Sequence, residues 1–182
     1  MVPARRLASI TKAHKFRFLN IDGDLSEVGW DGPQLEKLWR YNQHYFDDLN
    51  SINADERNEL HLQLIQDWIK CNPPGFGTGW DPYPVSLRIV NWIKWTLRVN
   101  KLSGNAKQSL VIQLRWLRKR LEFHLLGNHL FSNAKALVFG GLFFEGKEAD
   151  GWLKKGLSIL LRQIPEQILD DGGNFELSPM YH

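Results

Sequence analysis

The last two residues of the sequence, Tyr181 and His182, are the first candidates for chemistry. They follow residues 170–179, a stretch rich in turn-forming residues that breaks the preceding helical pattern. A tyrosine phenol can give or take a proton and a histidine titrates near neutrality, so the pair could abstract and return a proton at one substrate centre. Tyrosine is also a common half-buried packing residue, and packing is the alternative role for Tyr181.

A second polar cluster, Gly127-Asn128-His129, lies between two apolar helical segments. A simple connector needs the glycine in order to turn, but it does not need an adjacent amide and imidazole. The presence of both side chains at a helix boundary makes Asn128 and His129 candidate site residues.

Four further residues are candidates for substrate binding. Arg88 lies in an otherwise apolar helical segment, where it could clamp a substrate carboxylate with two hydrogen bonds or pair with a structural acid. The chain has eight tryptophans, and large indole rings serve both core packing and stacking on sugars. We expect most of them to pack between helices, and we keep Trp39, Trp80 and Trp92 as candidate cleft residues. For His44 we expect packing or hydrogen bonding rather than catalysis.

Length and composition favour one domain with a substantial core. A chain of 182 residues can bury about 70% of its unfolded surface. The single cysteine, Cys71, excludes an internal disulfide, and no paired cysteine or histidine spacing indicates a zinc site. We therefore expect neither a metal nor a cofactor.

The charge of +3, from 23 basic and 20 acidic side chains, is too balanced to indicate nucleic-acid binding but is compatible with an acidic polysaccharide as partner. No run of about 20 apolar residues is present, so we expect no membrane insertion. The first ten residues lack an apolar run of signal-peptide length. The sequence as written encodes no export signal, and the location stays open, the periplasm included if the native N-terminus is absent.

The elements that must position these residues are helices after a short arm. Residues 1–35 form the predicted N-terminal arm, extended or a β-hairpin, with a strand at 16–20 and a turn at 22–24. Helical periodicity then predicts an all-α region over residues 36–182. Its segments are expected near residues 34–50, 54–70, 84–100, 105–126, 130–144 and 148–169.

Exposed and buried helices are predicted to alternate. The fourth segment is amphipathic, and we expect its basic run, residues 115–120, to form a solvated outer face rather than a polyanion site. The fifth is nearly uncharged, which indicates burial on most sides. An all-α array of antiparallel hairpins fits this alternation. The predicted core includes eight apolar residues: Leu114, Leu117, Leu121, Val138, Phe139, Leu157, Leu160 and Leu161.

Several motifs in order resemble the helical domain of heparinase II/III-type polysaccharide lyases. The first is Gly-Asn-His-Leu-Phe-Ser-Asn-Ala-Lys-Ala-Leu at residues 127–137, followed by Asp-Gly-Gly at 171–173 and Glu-Leu-Ser-Pro-Met-Tyr-His at 176–182. Upstream, Leu-Trp-Arg-Tyr-Asn at 38–42 and Tyr-Pro-Val-Ser-Leu-Arg-Ile-Val-Asn-Trp at 83–92 also match. The resemblance covers most of residues 36–182 and implies an incomplete (α/α) toroid.

The chemistry that the resemblance implies is β-elimination at a uronic acid. Asn128, helped by His129, would neutralise the uronate carboxylate and stabilise the charged intermediate, as an oxyanion hole does. Tyr181 would protonate the leaving O4 and in some substrate geometries also take the C5 proton, with His182 as its neighbour or as the base. Which of Tyr181 and His182 is the base stays open. Asn174 stands where relatives carry histidine, which leaves the carbohydrate preference open.

Family members continue past this Tyr–His motif with more helices and a large antiparallel β-sandwich domain. We therefore expect this chain to be one part of a longer protein, and it could be inactive alone. The alternative is a noncatalytic carbohydrate-binding or polysaccharide-assembly module.

Overall fold

The computed structural model describes residues 6–12, 14–99, 102–125 and 127–175. Within these ranges the chain is mostly helical, with a small sheet at its start. The strands are β1 (Ile10–Lys12), β2 (Lys15–Phe18) and β3 (Ile21–Asp24). The helices are α1 (Leu25–Val28), α2 (Lys37–Tyr45), α3 (Asn58–Cys71), α4 (Pro82–Val99), α5 (Gly104–Arg118), α6 (Gly127–Phe143) and α7 (Lys147–Gln167).

The N-terminal strands form an antiparallel sheet in the order β1-β2-β3. Leu19 and Asn20 both have positive φ angles, 54° and 62°, and make the two-residue turn between β2 and β3. The predicted strand and hairpin are confirmed, but the turn predicted at 22–24 is wrong, because those residues pair within β3. Phe16 and Phe18 alternate inward, and the Phe18 ring packs edge-on against Trp39 at 5.2 Å. The sheet thus shares its core with the helices.

Helices α4 and α6 run side by side in the same direction. Near their N-termini the ring centroids of Tyr83 and His129 lie 4.4 Å apart. One turn further along, Asn133 Nδ2 donates to Ser86 Oγ at 3.0 Å. Since both contacts advance together along the two helices, the two N-termini lie at the same end of the array.

Helices α6 and α7 form an antiparallel hairpin with a close backbone approach. A Cβ placed on Gly156 of α7 would lie 2.7 Å from the carbonyl oxygen of Ala134 in α6. At the other end of the hairpin, a Cβ on Gly141 of α6 would lie 2.6 Å from the backbone nitrogen of Leu153. Both glycines therefore allow a helix separation that a larger side chain would prevent.

The helical prediction is confirmed in outline, with six helices between residues 34 and 170. Of the predicted core, Leu114 and Leu117 are fully buried, while Leu121, Val138, Phe139 and Leu160 are half-buried. The predicted burial of Leu157 and Leu161 is wrong, because these side chains are 44% and 74% exposed. Helix α7 packs on α6 through its other face, which carries Ala149, Trp152, Gly156 and Ile159.

In the part of the chain that the structure describes, no helix has the length and apolar character needed to cross a bilayer.

Candidate functional site

One end of the helical array gathers the loops and helix ends that carry the predicted site. We call this end the rim, and it comprises residues 72–81 before α4, 119–125 before α6 and 168–175 after α7. The side chain of Gln167, at the end of α7, is buried and donates from Nε2 to the carbonyl oxygen of Gly127 at 3.0 Å. The start of α6 and the end of α7 are therefore joined directly.

Asn128 opens into a cleft on this rim. The cleft has a volume of about 260 Å³ and is lined by Asn128, Phe131, Ser132, Gln167, Ile168, Gly172 and Asn174. One wall is the first turn of α6 and the other is the 168–175 segment. This arrangement exposes the Asn128 amide to a space large enough for a sugar ring.

The 168–175 segment folds back as a short hairpin. Ile168 and Asn174 form an isolated antiparallel bridge. Leu169 donates its backbone N–H to the Gly173 carbonyl at 2.8 Å, and Phe175 donates to the Gln167 carbonyl at 2.9 Å. These bonds hold the segment against the end of α7, so that it forms a fixed wall of the Asn128 cleft.

His129 is held by a buried carboxylate. Its Nδ1 lies 3.1 Å from Glu122 Oε1, and Glu122 is only 7% exposed. The second carboxylate oxygen accepts a hydrogen bond from Asn133 Nδ2 at 3.0 Å, and Asn133 Oδ1 accepts the Glu122 backbone N–H at 2.9 Å. Because Nδ1 faces Glu122, the other ring nitrogen of His129 points away from the carboxylate. Such a pair orients the imidazole and favours one tautomer.

Tyrosine rings continue this cluster along the rim. The ring centroids of Tyr41 and Tyr45 lie 6.4 Å apart, and those of Tyr45 and Tyr83 lie 5.9 Å apart. Tyr41 donates its hydroxyl to the Asp81 carboxylate. Burial, together with that hydrogen bond, raises the pKa of Tyr41 well above its usual range, and burial does the same to the pKa of Tyr45. Both phenols are therefore proton donors rather than bases at neutral pH.

Arg88, predicted to bind a substrate or a structural carboxylate, is fully buried. Its Nε donates to Gln113 Oε1 at 2.9 Å, Nη1 donates to the His44 carbonyl at 3.2 Å, and the guanidinium lies 3.8 Å from the Trp68 ring centroid. Burial lowers the pKa of Arg88 well below its usual range. Its partners are an amide, a carbonyl and an indole where a carboxylate was predicted, because Arg88 joins four elements of the core.

The three tryptophans kept as cleft candidates are enclosed by protein. Trp39 and Trp92 are 0% exposed and Trp80 is 3% exposed. Trp39 Nε1 donates to the Ile21 carbonyl and Trp80 Nε1 to the Asn72 carbonyl. In this structure the rings have no open face for a sugar, and we assign their observed contacts to packing. The role expected for His44 is confirmed, since it is buried and accepts from Trp68 Nε1 at 3.0 Å.

Tyr181 and His182 lie outside the described residues, so their roles stay predictions. The residues that sequence reasoning missed are Glu122 and Tyr41, together with Asn133, which holds Glu122. Within the described ranges, no group of three or more histidine, cysteine, aspartate or glutamate side chains could hold a metal ion.

The chain is similar to curated lyases. A family model described as Heparinase II/III N-terminus matches residues 38–182. The chain is 49% identical to a heparin-sulfate lyase of Bacteroides stercoris, a match that covers 90% of this chain and 29% of the relative. It is 42% identical to a heparin-sulfate lyase of Pedobacter heparinus, with 98% and 30% covered. A heparin-sulfate lyase of Bacteroides thetaiotaomicron is 29% identical, with 72% and 20% covered.

The chain thus spans less than a third of the length of these curated relatives. No solved structure matches it significantly.

Proposed function

The chain belongs to the heparinase II/III N-terminal family, and on that premise we propose that it is the helical part of a lyase that cleaves uronic-acid-containing polysaccharide by β-elimination. The observation that carries the proposal is the position of Asn128. Its amide lines an open cleft whose opposite wall leads along the chain to Tyr181 and His182.

The reaction requires removal of the C5 proton beside a charged carboxylate, and the negative charge that develops must be stabilised. Asn128 can donate to this carboxylate without competing for the proton. His129 adds a second donor, or a cation when protonated, and Glu122 keeps its ring in one orientation. These groups supply the electrostatic part of the mechanism.

Proton transfer is assigned to Tyr181, with His182 as its neighbour or as the base. Tyr181 follows Phe175 by six residues, and an extended chain spans at most about 3.5 Å per residue. The pair is therefore tethered within about 20 Å of the cleft wall. This reach supports a shared site with Asn128, since the two meet without any change in the described hairpin.

We also propose that the helices form part of an (α/α) toroid. Helices α4 and α6 run in parallel, and α7 runs back along α6. Such an alternation of direction is what an inner ring and an outer ring of helices require. The N-termini of α4 and α6 would then open onto a common cleft at the rim.

The test is an assay for the unsaturated uronate product, followed by its ultraviolet absorbance. A panel of uronate polymers is offered to this chain and to the longer protein that contains it. We expect product from the longer protein, and a loss of turnover of about 10²–10⁴-fold in its Tyr181→Phe variant with binding retained. Asn128→Ala should also lower turnover.

Two results would overturn parts of the proposal. Absence of product across the panel, with polymer binding retained, would favour the noncatalytic carbohydrate-binding or assembly module. Near wild-type rates for both Tyr181→Phe and Asn128→Ala would remove the proposed mechanism while leaving the family assignment intact.

A further inference from the structure

The basic run at the end of α5 divides into two groups that face different ways. Arg115 makes two hydrogen bonds to Glu148 of α7, at 2.8 and 2.7 Å. Arg118 also lies towards α7, since its Nη1 would be 3.6 Å from a Cβ on Gly151. Arg120 follows the end of the helix and belongs to the rim. The expectation of a solvated outer face therefore fits the first two arginines but not Arg120.

Arg120 is stacked on an aromatic ring. Its guanidinium carbon lies 3.4 Å from the ring centroid of Trp116. The indole is itself fixed, because its Nε1 donates to the Trp80 carbonyl at 2.9 Å and a Cβ on Gly75 would lie 2.5 Å from the ring. One side of the indole thus meets protein backbone and the ring carries the guanidinium. The stack holds Arg120 in a defined orientation.

The hydrogen-bonding edge of this guanidinium is available. Stacking uses the flat face of the group and leaves its five N–H donors in the plane. Within the described ranges, no carboxylate forms an ion pair with Arg120; Glu148 is bound by Arg115, and Glu122 by His129 and Asn133. A fixed, planar set of donors suits a sulfate or carboxylate, which it can bind with two hydrogen bonds.

The surroundings favour an anionic sugar as the source of that group. Lys119 is exposed beside Arg120 and adds a second positive charge. Phe76 is 74% exposed and follows Gly75, the residue against the Trp116 ring. Cationic donors next to an exposed aromatic ring match a sugar, which presents charged substituents and an apolar face.

We propose that Arg120, stacked on Trp116, is a binding subsite for a sulfate or carboxylate group of an acidic polysaccharide, on the same rim as the Asn128 cleft. The subsite rests on the proposed function, because it takes the same polymer as the substrate. It extends the site beyond the reacting sugar and contributes to binding rather than to proton transfer.

Binding of a heparan sulfate oligosaccharide of defined length to this chain, measured by calorimetry at constant ionic strength, tests the subsite. Arg120→Gln should weaken binding about tenfold, which is the loss of one charge-assisted bidentate contact. The matched control is Arg115→Gln, which removes the same charge from the same helix and should change the affinity less than about twofold. Arg120→Lys keeps the charge but loses the planar fork, and it should recover only part of the affinity.

Equal losses in Arg120→Gln and Arg115→Gln, or wild-type affinity in Arg120→Lys, would overturn the proposal. Complete displacement of the oligosaccharide by inorganic sulfate, under conditions where the same ionic strength of chloride has no effect, would assign the site to a small anion instead. A lower melting temperature of Arg120→Gln with unchanged affinity would show that the residue only stabilises the end of α5. Turnover is not needed, so an inactive longer protein that still binds through Arg120 would remove the lyase proposal and keep the subsite.

Discussion

Gly156→Ala tests whether the close contact of α6 and α7 positions the site. The added Cβ would lie 2.7 Å from the carbonyl oxygen of Ala134, 2.8 Å from Val138 Cγ2 and 3.0 Å from the Val138 backbone nitrogen. Two of these three neighbours are backbone atoms, which cannot rotate away. The helices must therefore separate to accommodate one methyl group.

Gly151→Ala is the matched control on the same helix. The nearest atom to its Cβ would be Arg118 Nη1 at 3.6 Å, the end of a flexible side chain. Both substitutions gain about 1 kcal/mol from the helix propensity of alanine. Only Gly156→Ala pays for overpacking, which typically costs about 1–3 kcal/mol. Because the propensity term cancels between the variants, their difference isolates the helix contact.

Urea denaturation of both variants measures that difference. We expect Gly151→Ala to be more stable than the wild-type chain, and Gly156→Ala to be less stable than Gly151→Ala by about 1–3 kcal/mol. In thermal melts of a chain of this size the gap corresponds to roughly 2–12 °C. Equal shifts in the two variants would refute the contact between α6 and α7 as described.

Three further predictions concern the core and the site. Burial, followed by the charge of Arg88, lowers the pKa of His44 to about 3, so an unfolded histidine with a pKa of about 6.5 takes up a proton that the folded one does not. The free energy of unfolding should therefore fall as the pH drops from 6.5 towards 3, by up to about 1.4 kcal/mol per pH unit from this group, and urea titrations should show a flatter profile for His44→Gln. Leu117→Ala should cost about 2–5 kcal/mol because the side chain is fully buried, and Leu160→Ala should cost less in the same denaturation assay because that side chain is half-buried. In the longer protein, Glu122→Gln should lower kcat more than it raises KM and should change the ¹⁵N shifts of the His129 ring, whereas unchanged shifts would show that Glu122 does not orient it.

The helices could be predicted from the sequence because their apolar residues recur at helical intervals, as Leu110, Leu114 and Leu117 do on α5. The buried face of α7 could not. Its leucines follow the right period, but Leu161 is 74% exposed while Gly156 faces α6. A hydrophobic period identifies an apolar face, whereas close backbone packing is achieved by small residues, which the period does not reveal.

In the site, Asn128 and His129 were recognisable because polar side chains at an apolar helix boundary are conspicuous in sequence. Glu122 was not, since its partner His129 comes from α6 and its charge is ordinary for a connecting segment. Arg88 misled for a related reason. A charge in an apolar helix is usually taken to reach solvent or an acid, but here Gln113, 25 residues away, and the His44 carbonyl, 44 residues away, satisfy it.

The bond from Gln167 to Gly127 makes the α6–α7 hairpin a closed ring of fixed circumference. Each residue added to or removed from α7 would turn Gln167 by about 100° and shift it about 1.5 Å along the helix axis. The side chain would then face solvent or the wrong neighbour, and the 168–175 wall would leave Asn128. Length changes in homologous chains should consequently be confined to the open loops, while the residue count between these two positions stays constant.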